Sequence, residues 1–174
     1  DQADILRKMM LHSPQSTSFG RVLDALSCYL GICCKRTYDG EPAMKLEWYI
    51  SKGSNRFAFK PLVKNDVVQT VDLFRQLHEE RKKLPESLSH KHRADLAFSF
   101  VYALVSALTT EAINYAQNKM IPSIGLTGGV SYNMPIVEMI NKQVKRENLD
   151  FLVHDRISNG DGGISAGQNV LAAH

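Results

Sequence analysis

Apolar positions in the first two thirds of the chain recur at helical spacing. In residues 19–31, FGRVLDALSCYLG, Val22, Leu26, Tyr29 and Leu30 fall on one face. Ser18 stands where a cap is needed and Gly31 where a helix stops. After the turn residues TYDG, the run EPAMKLEWYISKG places Glu41 and Pro42 at a helix start. It spaces Ala43, Leu46 and Ile50 along one side and ends on Gly53. RFAFK, residues 56–60, alternates as a short strand does. The next predicted helix lies in NDVVQTVDLFRQLHEERKKL, capped by Asn65, with Val67, Val71, Phe74 and Leu77 lining one side. Pro85 and the serines near it break the pattern. The longest predicted helix covers residues 90–119. There Leu96, Phe100, Leu104, Leu108 and Ala112 recur at every fourth position, which implies heavy burial.

From residue 121 the pattern changes. PSIGLTGG reads as a strand running into a glycine turn. YNMPIVEMINKQVKRE reads as a helix with Asn133 near its cap, Pro135 in its first turn, and Ile136, Ile140 and Val144 facing inward. LDFLVHDRIS reads as a second strand. NGDGGISAGQNVLAAH reads as a second glycine turn leading into a C-terminal helix. This β-turn-α-β-turn-α order is the unit of an open α/β sheet. The expected fold class is therefore α/β, mainly helical over residues 1–120 and βαβα over residues 121–174.

A chain of 174 residues suits one domain or one lobe of a larger one. At 44% hydrophobic and 22% charged residues it buries a core and is not disordered. The net charge of +3 is mild, and no basic stripe is interleaved with aromatics, so nothing points to nucleic acid as a ligand. No apolar run reads as long enough to span a membrane, and no signal peptide is visible. Cys28, Cys33 and Cys34 are odd in number and form no CxxC, so they are expected to be reduced, buried or half-buried thiols in a cytoplasmic setting. The chain begins at Asp1 rather than Met, which suggests a fragment or a processed chain.

The candidate chemistry sits in the glycine turns. In open α/β sheets ligands bind outside the carboxyl ends of the strands. A helix N-terminus offers unpaired N–H groups and a positive dipole end, both suited to phosphate. Gly128 and Gly129 remove the Cβ atoms that would keep a phosphate away, and Asn133 stands close enough to hold the loop or reach a ligand. A plain βα turn with small residues for packing is the equal alternative. The Lys-Ser/Thr of a P-loop and the three-glycine dinucleotide fingerprint are both lacking. In the second turn Asp161 sits between Gly160 and Gly162-Gly163. A carboxylate there caps a helix, or serves as a hard oxygen ligand for a divalent metal. In STSFGRVLDA, Gly20 and Asp24 are four apart and share a face with Arg21 beside them. Asp24 suits a ribose hydroxyl pair, or is a surface carboxylate with Arg21 as its solvated neighbour. YDGEPA adds Gly40 and Glu41 at a second helix start. His90 and His92 of HKH lack a third ligand and read as a solvated helix start. His154 reads as a satisfied strand histidine, EERKK as a solvated face, and Cys28 as packing. No Ser/His/Asp or Cys/His arrangement is legible, so no catalytic residue is assigned.

Taken in order, STSFGRVLDALSCYLGI, YDGEPAMKLE, LAFSFVYAL, LTGGVSYN and HDRISNGDGGISAGQ resemble the C-terminal part of the HypF carbamoyltransferases, the maturation proteins of [NiFe] hydrogenases. The likeness runs over almost the whole chain, and its segments are specific jointly rather than singly. It extends to the tRNA threonylcarbamoyladenosine transferases and the antibiotic O-carbamoyltransferases. The resemblance implies an actin-like, sugar-kinase-like (ribonuclease-H-like) ATPase lobe, with the whole chain, 1–174, as the C-terminal lobe of a carbamoyltransferase domain. It implies transfer of a carbamoyl group from carbamoyl phosphate, through carbamoyl-adenylate, to the C-terminal cysteine of a HypE acceptor, whose thiocarbamate is dehydrated to the cyanide ligand. It implies ATP or ADP as the bound nucleotide, with Gly128, Gly129 and Asn133 at the phosphates and Asp24 at the ribose. Gly20, Arg21, Gly40 and Glu41 complete the candidate nucleotide-binding set. Asp161 matches a ligand position for a divalent metal (Mg, Fe or Zn).

The departures matter as much. Family members usually carry a histidine after the Phe of LAFSF, where this chain has Val101, and often carry prolines before the DGG turn, where it has Ser158, Asn159 and Gly160. A more mobile loop is expected there. The acylphosphatase-like module, zinc-binding repeats, adenylate-forming module and first lobe of such proteins are not in these residues, so they are implied partners from the same protein. The alternatives are a non-catalytic nucleotide-binding or assembly module, and a small-molecule O-carbamoyltransferase lobe.

Overall fold

The computed structural model describes residues 4–5, 8–9, 12–13 and 16–173. Its elements, in order, are α1 (Phe19–Tyr29), α2 (Glu41–Lys52), β1 (Val63–Lys64), β2 (Val67–Val68), α3 (Thr70–Lys82), α4 (His90–Asn118), β3 (Ser123–Leu126), α5 (Met134–Arg146), β4 (Asp150–Val153) and α6 (Ile164–Ala172). Every predicted helix is present. Capping explains several of their starts: Ser18 accepts the Arg21 N–H, Ser89 the His92 N–H, and Asn133 the Ile136 N–H. Gly53 closes α2 as expected, its N–H donating to Ile50 O.

The long helix α4 packs against α2, α3 and α5 and organises the core. Leu96, Phe100 and Leu104 of α4 are buried with Leu23 and Leu26 of α1, Leu46 and Ile50 of α2, Leu73 and Leu77 of α3, and Ile136 of α5. The expected stripe ends early, because Leu108 is exposed. By length and composition α4 is long and apolar enough to cross a membrane, which corrects the sequence expectation. Its most apolar window is 61% buried inside the protein, so that apolar surface serves packing between helices. Val101 is fully buried.

Other expectations shift by a residue or two. On α1 the inward face is Leu23, Leu26 and the capping Leu30, while Tyr29 is exposed and its hydroxyl meets His78 Nδ1 at 2.8 Å. Residues 56–60 form no strand. The N–H groups of Arg56 and Phe57 instead donate to the Ser99 hydroxyl at 3.0 and 3.2 Å, and Lys60 exchanges two bonds with the Gln76 amide. The strands lie just beyond, β1 and β2, paired antiparallel around Asn65 and Asp66. Both turn residues have positive φ, 52° and 59°, the backbone of a tight hairpin that Asn and Asp tolerate. Asn65 is thus a hairpin residue and not a helix cap, and α3 begins later, after Gln69. Val67 and Val71 are exposed, and Leu73 and Leu77 face the core.

In the second half, β3 and β4 pair in parallel, Ser123 opposite Asp150 and Leu126 opposite Val153, with α5 as the crossover. A parallel pair needs such a crossover, and it sends both strands' carboxyl ends the same way. The two glycine turns therefore emerge side by side, and the Gly128 N–H donates to Asn159 O at 2.8 Å.

Candidate functional site

Where the first turn meets α1 and α2, the surface folds into a cleft of about 970 Å³. Its walls come from three places. The start of α1 supplies Gly20, Arg21 and Asp24. The loop into α2 and the first turns of α2 supply Arg36, Asp39, Gly40, Met44 and Glu47. The turn after β3 supplies Thr127, Gly128, Gly129, Tyr132 and Asn133. Seven of the sequence-predicted nucleotide residues, Gly20, Arg21, Asp24, Gly40, Gly128, Gly129 and Asn133, thus share one cavity, although more than a hundred positions separate the ends of that set. The volume falls in the range of small-molecule sites.

The two glycines of the turn have different reasons to be glycine. Gly128 has φ +85°, a backbone that side chains rarely adopt. Gly129 has no such need, and a Cβ built on it would meet nothing within 4 Å. The fold does not require a glycine at 129. The amides of Gly129 and Val130 open the 3-10 turn Gly129–Tyr132, and neither has an acceptor among the described residues. Behind them the turn closes on itself, with Ser131 N–H and hydroxyl on Gly128 O and Asn133 N–H on Val130 O.

The N-terminus of α5 is a different case from the sequence expectation of a phosphate there. Its amides are already paired: Met134 N–H donates to Glu47 Oε1 at 3.0 Å, Ile136 N–H to Asn133 Oδ1 at 3.3 Å, and Val137 N–H to Asn133 O. Pro135 has no amide hydrogen. The free donors lie one turn earlier, at Gly129 and Val130. Asn133 is buried and serves as the cap of α5 while it lines the cleft. Arg36 and Asp39 pair with each other at 2.8 Å on the rim.

Two candidates fall outside the cleft lining. Glu41 is buried at the head of α2, where its carboxylate accepts the Thr37 N–H and hydroxyl and pairs with Lys45 at 2.7 Å. Lys45 first, then the Thr37 amide and hydroxyl, hold its carboxyl down at about 2. Glu41 shapes the loop that presents Gly40. Asp161 stands exposed at the head of the 3-10 turn Asp161–Gly163, after the second strand. That turn is bonded to the first. Besides the Gly128–Asn159 bond, the Tyr132 hydroxyl meets Ser158 Oγ at 2.5 Å and accepts the Gly160 N–H at 3.0 Å. The Ser158 hydroxyl, then the Gly160 amide, hold the Tyr132 phenol below the usual tyrosine range. Gly163 runs close to the chain ahead of it: a Cβ there would lie 2.5 Å from Ser158 O.

Among the described residues no group of three or more His, Cys, Asp or Glu side chains could hold a metal ion. One exposed carboxylate, Asp161, does not by itself make a divalent site, which takes several oxygen ligands. His90 stacks on Tyr49 and shares a bond with its hydroxyl at 3.0 Å, and His154 Nε2 meets Thr127 Oγ1 at 3.0 Å. All three cysteines are free thiols. Cys33 is buried, but Cys28 and Cys34 are exposed, so Cys28 is not the packing residue its spacing suggested. A hydrogen bond with Cys34, then burial, then the other two thiols raise the Cys28 pKa, which disfavours the nucleophilic thiolate.

Glu47 and Tyr132 are among the cleft residues that sequence reasoning missed, with Arg36, Asp39, Met44, Thr127 and Val130. Glu47 follows Gly40 by seven positions, two helical turns, and so shares its side of α2. Tyr132 lies inside the quoted GGVSYN segment, but nothing in the spacing says that its hydroxyl crosses to residues 158 and 160.

Residues 2–168 match the family model described as carbamoyltransferase, Kae1-like domain, second subdomain. The chain is 40% identical over 166 residues to the probable carbamoyltransferase HypF of Methanocaldococcus jannaschii, covering 92% of this chain and 20% of that protein. The crystal structure of T. kodakarensis HypF superposes with a TM-score of 0.77 at 35% identity, over 89% of this chain and 19% of that one. A full-length HypF solved in a phosphate- and nucleotide-bound form shares the fold, with a TM-score of 0.76 at 24% identity, over 89% of this chain and 20% of that one. The chain thus spans about a fifth of the length of these three relatives. The expected α/β, actin-like architecture is borne out. The chain belongs to the carbamoyltransferase family, as the second subdomain of a Kae1-like domain.

Proposed function

We propose that this chain, over its whole length, is the nucleotide-binding C-terminal lobe of a HypF-type carbamoyltransferase. The observation that carries this reading is the pair of amides at Gly129 and Val130 that have no acceptor among the described residues. They stand in the same cleft as Asp24, beside a Gly129 that the fold itself does not require. Backbone N–H groups receive phosphate oxygens, and a carboxylate accepts from a ribose diol, so one cleft presents both recognition chemistries. A solved relative described as phosphate- and nucleotide-bound supports the reading. ATP or ADP is the nucleotide, with its phosphates at Gly128, Gly129 and Val130 and its ribose at Gly20 and Asp24. Gly40 and Arg21 wall the remaining sides.

The full reaction moves a carbamoyl group from carbamoyl phosphate, through carbamoyl-adenylate, to the C-terminal cysteine of a HypE-like acceptor, for the cyanide ligand of [NiFe] hydrogenase. This chain's part is to bind and orient the adenylate end. Upstream modules of the same protein supply the opposite wall. A divalent cation would fit Asp161 only with donors from outside this chain, and no step here is assigned to it. The setting is cytoplasmic, in keeping with three free thiols.

Calorimetric titration of ATP with Mg²⁺ into the wild type, Gly129→Val and Asp24→Ala tests the site. Both substitutions should weaken binding by about tenfold or more, Gly129→Val by crowding the phosphate away from the turn amides and Asp24→Ala by losing one or two charge-assisted hydrogen bonds. Gly129→Val should leave the melting temperature nearly unchanged, because its side chain enters open space. Equal heats in all three proteins would refute the assignment.

A further inference from the structure

Tyr132 is built as a strut. Its residue surface is 53% exposed, so burial does not hold its ring, yet its hydroxyl has two internal partners, Ser158 Oγ and the Gly160 N–H. The bare backbone of Gly160 lies against that ring, where an added Cβ would come to 3.2 Å from Tyr132 Cε2. The partners belong to the second glycine turn. The tyrosine belongs to the first, in the same 3-10 turn as the free amides of Gly129 and Val130. Without the hydroxyl, one backbone bond, Gly128 N–H to Asn159 O, is the remaining hydrogen bond between residues 128–132 and 158–160 among the described residues. Two exposed loops joined by a single bond keep fewer fixed donors than two loops braced at both ends, and fixed donors bind with less loss of entropy.

We propose that Tyr132 is a positioning residue. Through its hydroxyl it braces the 128–132 turn against the 158–163 turn, and so holds the Gly129 and Val130 amides in the geometry that receives the nucleotide's phosphates. This inference rests on the nucleotide reading above. It goes beyond that reading in giving the second glycine turn a task toward the first, independent of any metal at Asp161.

Two measurements on the whole chain test it. Amide hydrogen exchange reads the brace with no ligand present, and calorimetry with adenosine and with ADP reads its consequence. In Tyr132→Phe, exchange at the Gly160 amide should quicken about tenfold, the cost of one hydrogen bond. ADP affinity should fall about fivefold while adenosine affinity, which has no phosphate to place, stays the same. Ser158→Ala should shift both readouts in the same direction. The double variant should be no weaker than Tyr132→Phe, because both changes remove the same bond. Unchanged Gly160 protection in Tyr132→Phe overturns the brace. Quickened exchange with unchanged ADP affinity overturns the positioning role while leaving the nucleotide reading intact. An equal fall for adenosine and ADP overturns it too, by making Tyr132 a direct contact or a general structural residue. Binding of neither ligand to the wild type overturns the nucleotide reading itself, whatever the exchange at Gly160 does.

Discussion

Glu41 shows how a residue in a family motif can serve the fold beside a site. Its carboxylate is held down at about 2 by Lys45 and by the Thr37 amide and hydroxyl, against an ordinary value of 4.5. A carboxylate whose pKa is lower folded than unfolded stabilises the protein above its unfolded value and loses that contribution as pH falls toward its folded value. Glu41→Gln should therefore lower the urea midpoint at pH 7, and the gap from wild type should narrow between pH 4.5 and 2. A gap that stays constant over that window would show that the charge is not what matters. The same scale separates Gly128 from Gly129, which look equivalent in the sequence. One answers to a backbone angle of +85° and the other to open space. Residue identities and spacing do reveal that this turn is special. They do not reveal which amides are left unpaired, because Glu47 reaches the α5 N-terminus from 87 residues away.

At the scale of elements, Gly53 marks the tightest helix contact. A Cβ there would lie 2.1 Å from Ala94 O and 2.7 Å from Phe98 Cβ, so α2 ends where its backbone must pass against α4. Gly53→Ala should destabilise the chain by roughly 1–3 kcal/mol through overpacking, read as a lower urea midpoint at unchanged slope. Near-wild-type stability would mean that the α2 end slides freely. The neighbouring Ser54 ties to the same helix, its N–H and hydroxyl on Asp95 at 2.9 and 3.1 Å. Burial pushes the Asp95 carboxyl up, but Lys91 and Ser54 outweigh it and leave it below the usual range. Helices were legible because a buried stripe must repeat at 3.6 residues whatever it packs against. Their phases were less so. Val71 is exposed and Leu73 buried because α4 approaches α3 from one particular side, which no local pattern encodes. The strand expected at 56–60 failed for a related reason. Two of its amides found the Ser99 hydroxyl on α4, and a short segment with such a partner needs no ladder. Residues 158–160 likewise bond across to residues 128 and 132, which no local pattern encodes.

At the scale of the whole molecule, α4 and the helices around it hold the buried mass, while the C-terminal end is thinly packed. No described residue of α6 is buried, and Ile164, Val170 and Leu171 are 58%, 58% and 80% exposed. Leu152 and Val153 of β4 are exposed as well. Deleting residues 164–174 should therefore change the melting temperature by no more than about 2 °C, since surface changes seldom exceed ~0.5 kcal/mol. A large drop would reveal packing by α6 that the fold does not show. In a chain spanning about a fifth of the length of the HypF relatives described above, this exposed apolar end suits cover from the rest of a longer protein. By itself the sequence determined the helices, the βαβα order and the glycine turns, because periodicity, caps and positive-φ demands are local. It also determined the family, because the motifs keep their order along the chain. Only the tertiary structure decided which residues meet. It gathers seven of the candidates into one cleft, sets Glu41 to shaping a loop, brings Glu47 to the Met134 amide of α5, and bonds the Tyr132 hydroxyl across to Ser158 and Gly160. Those outcomes depend on distances between segments far apart in the chain, and such distances are set by packing.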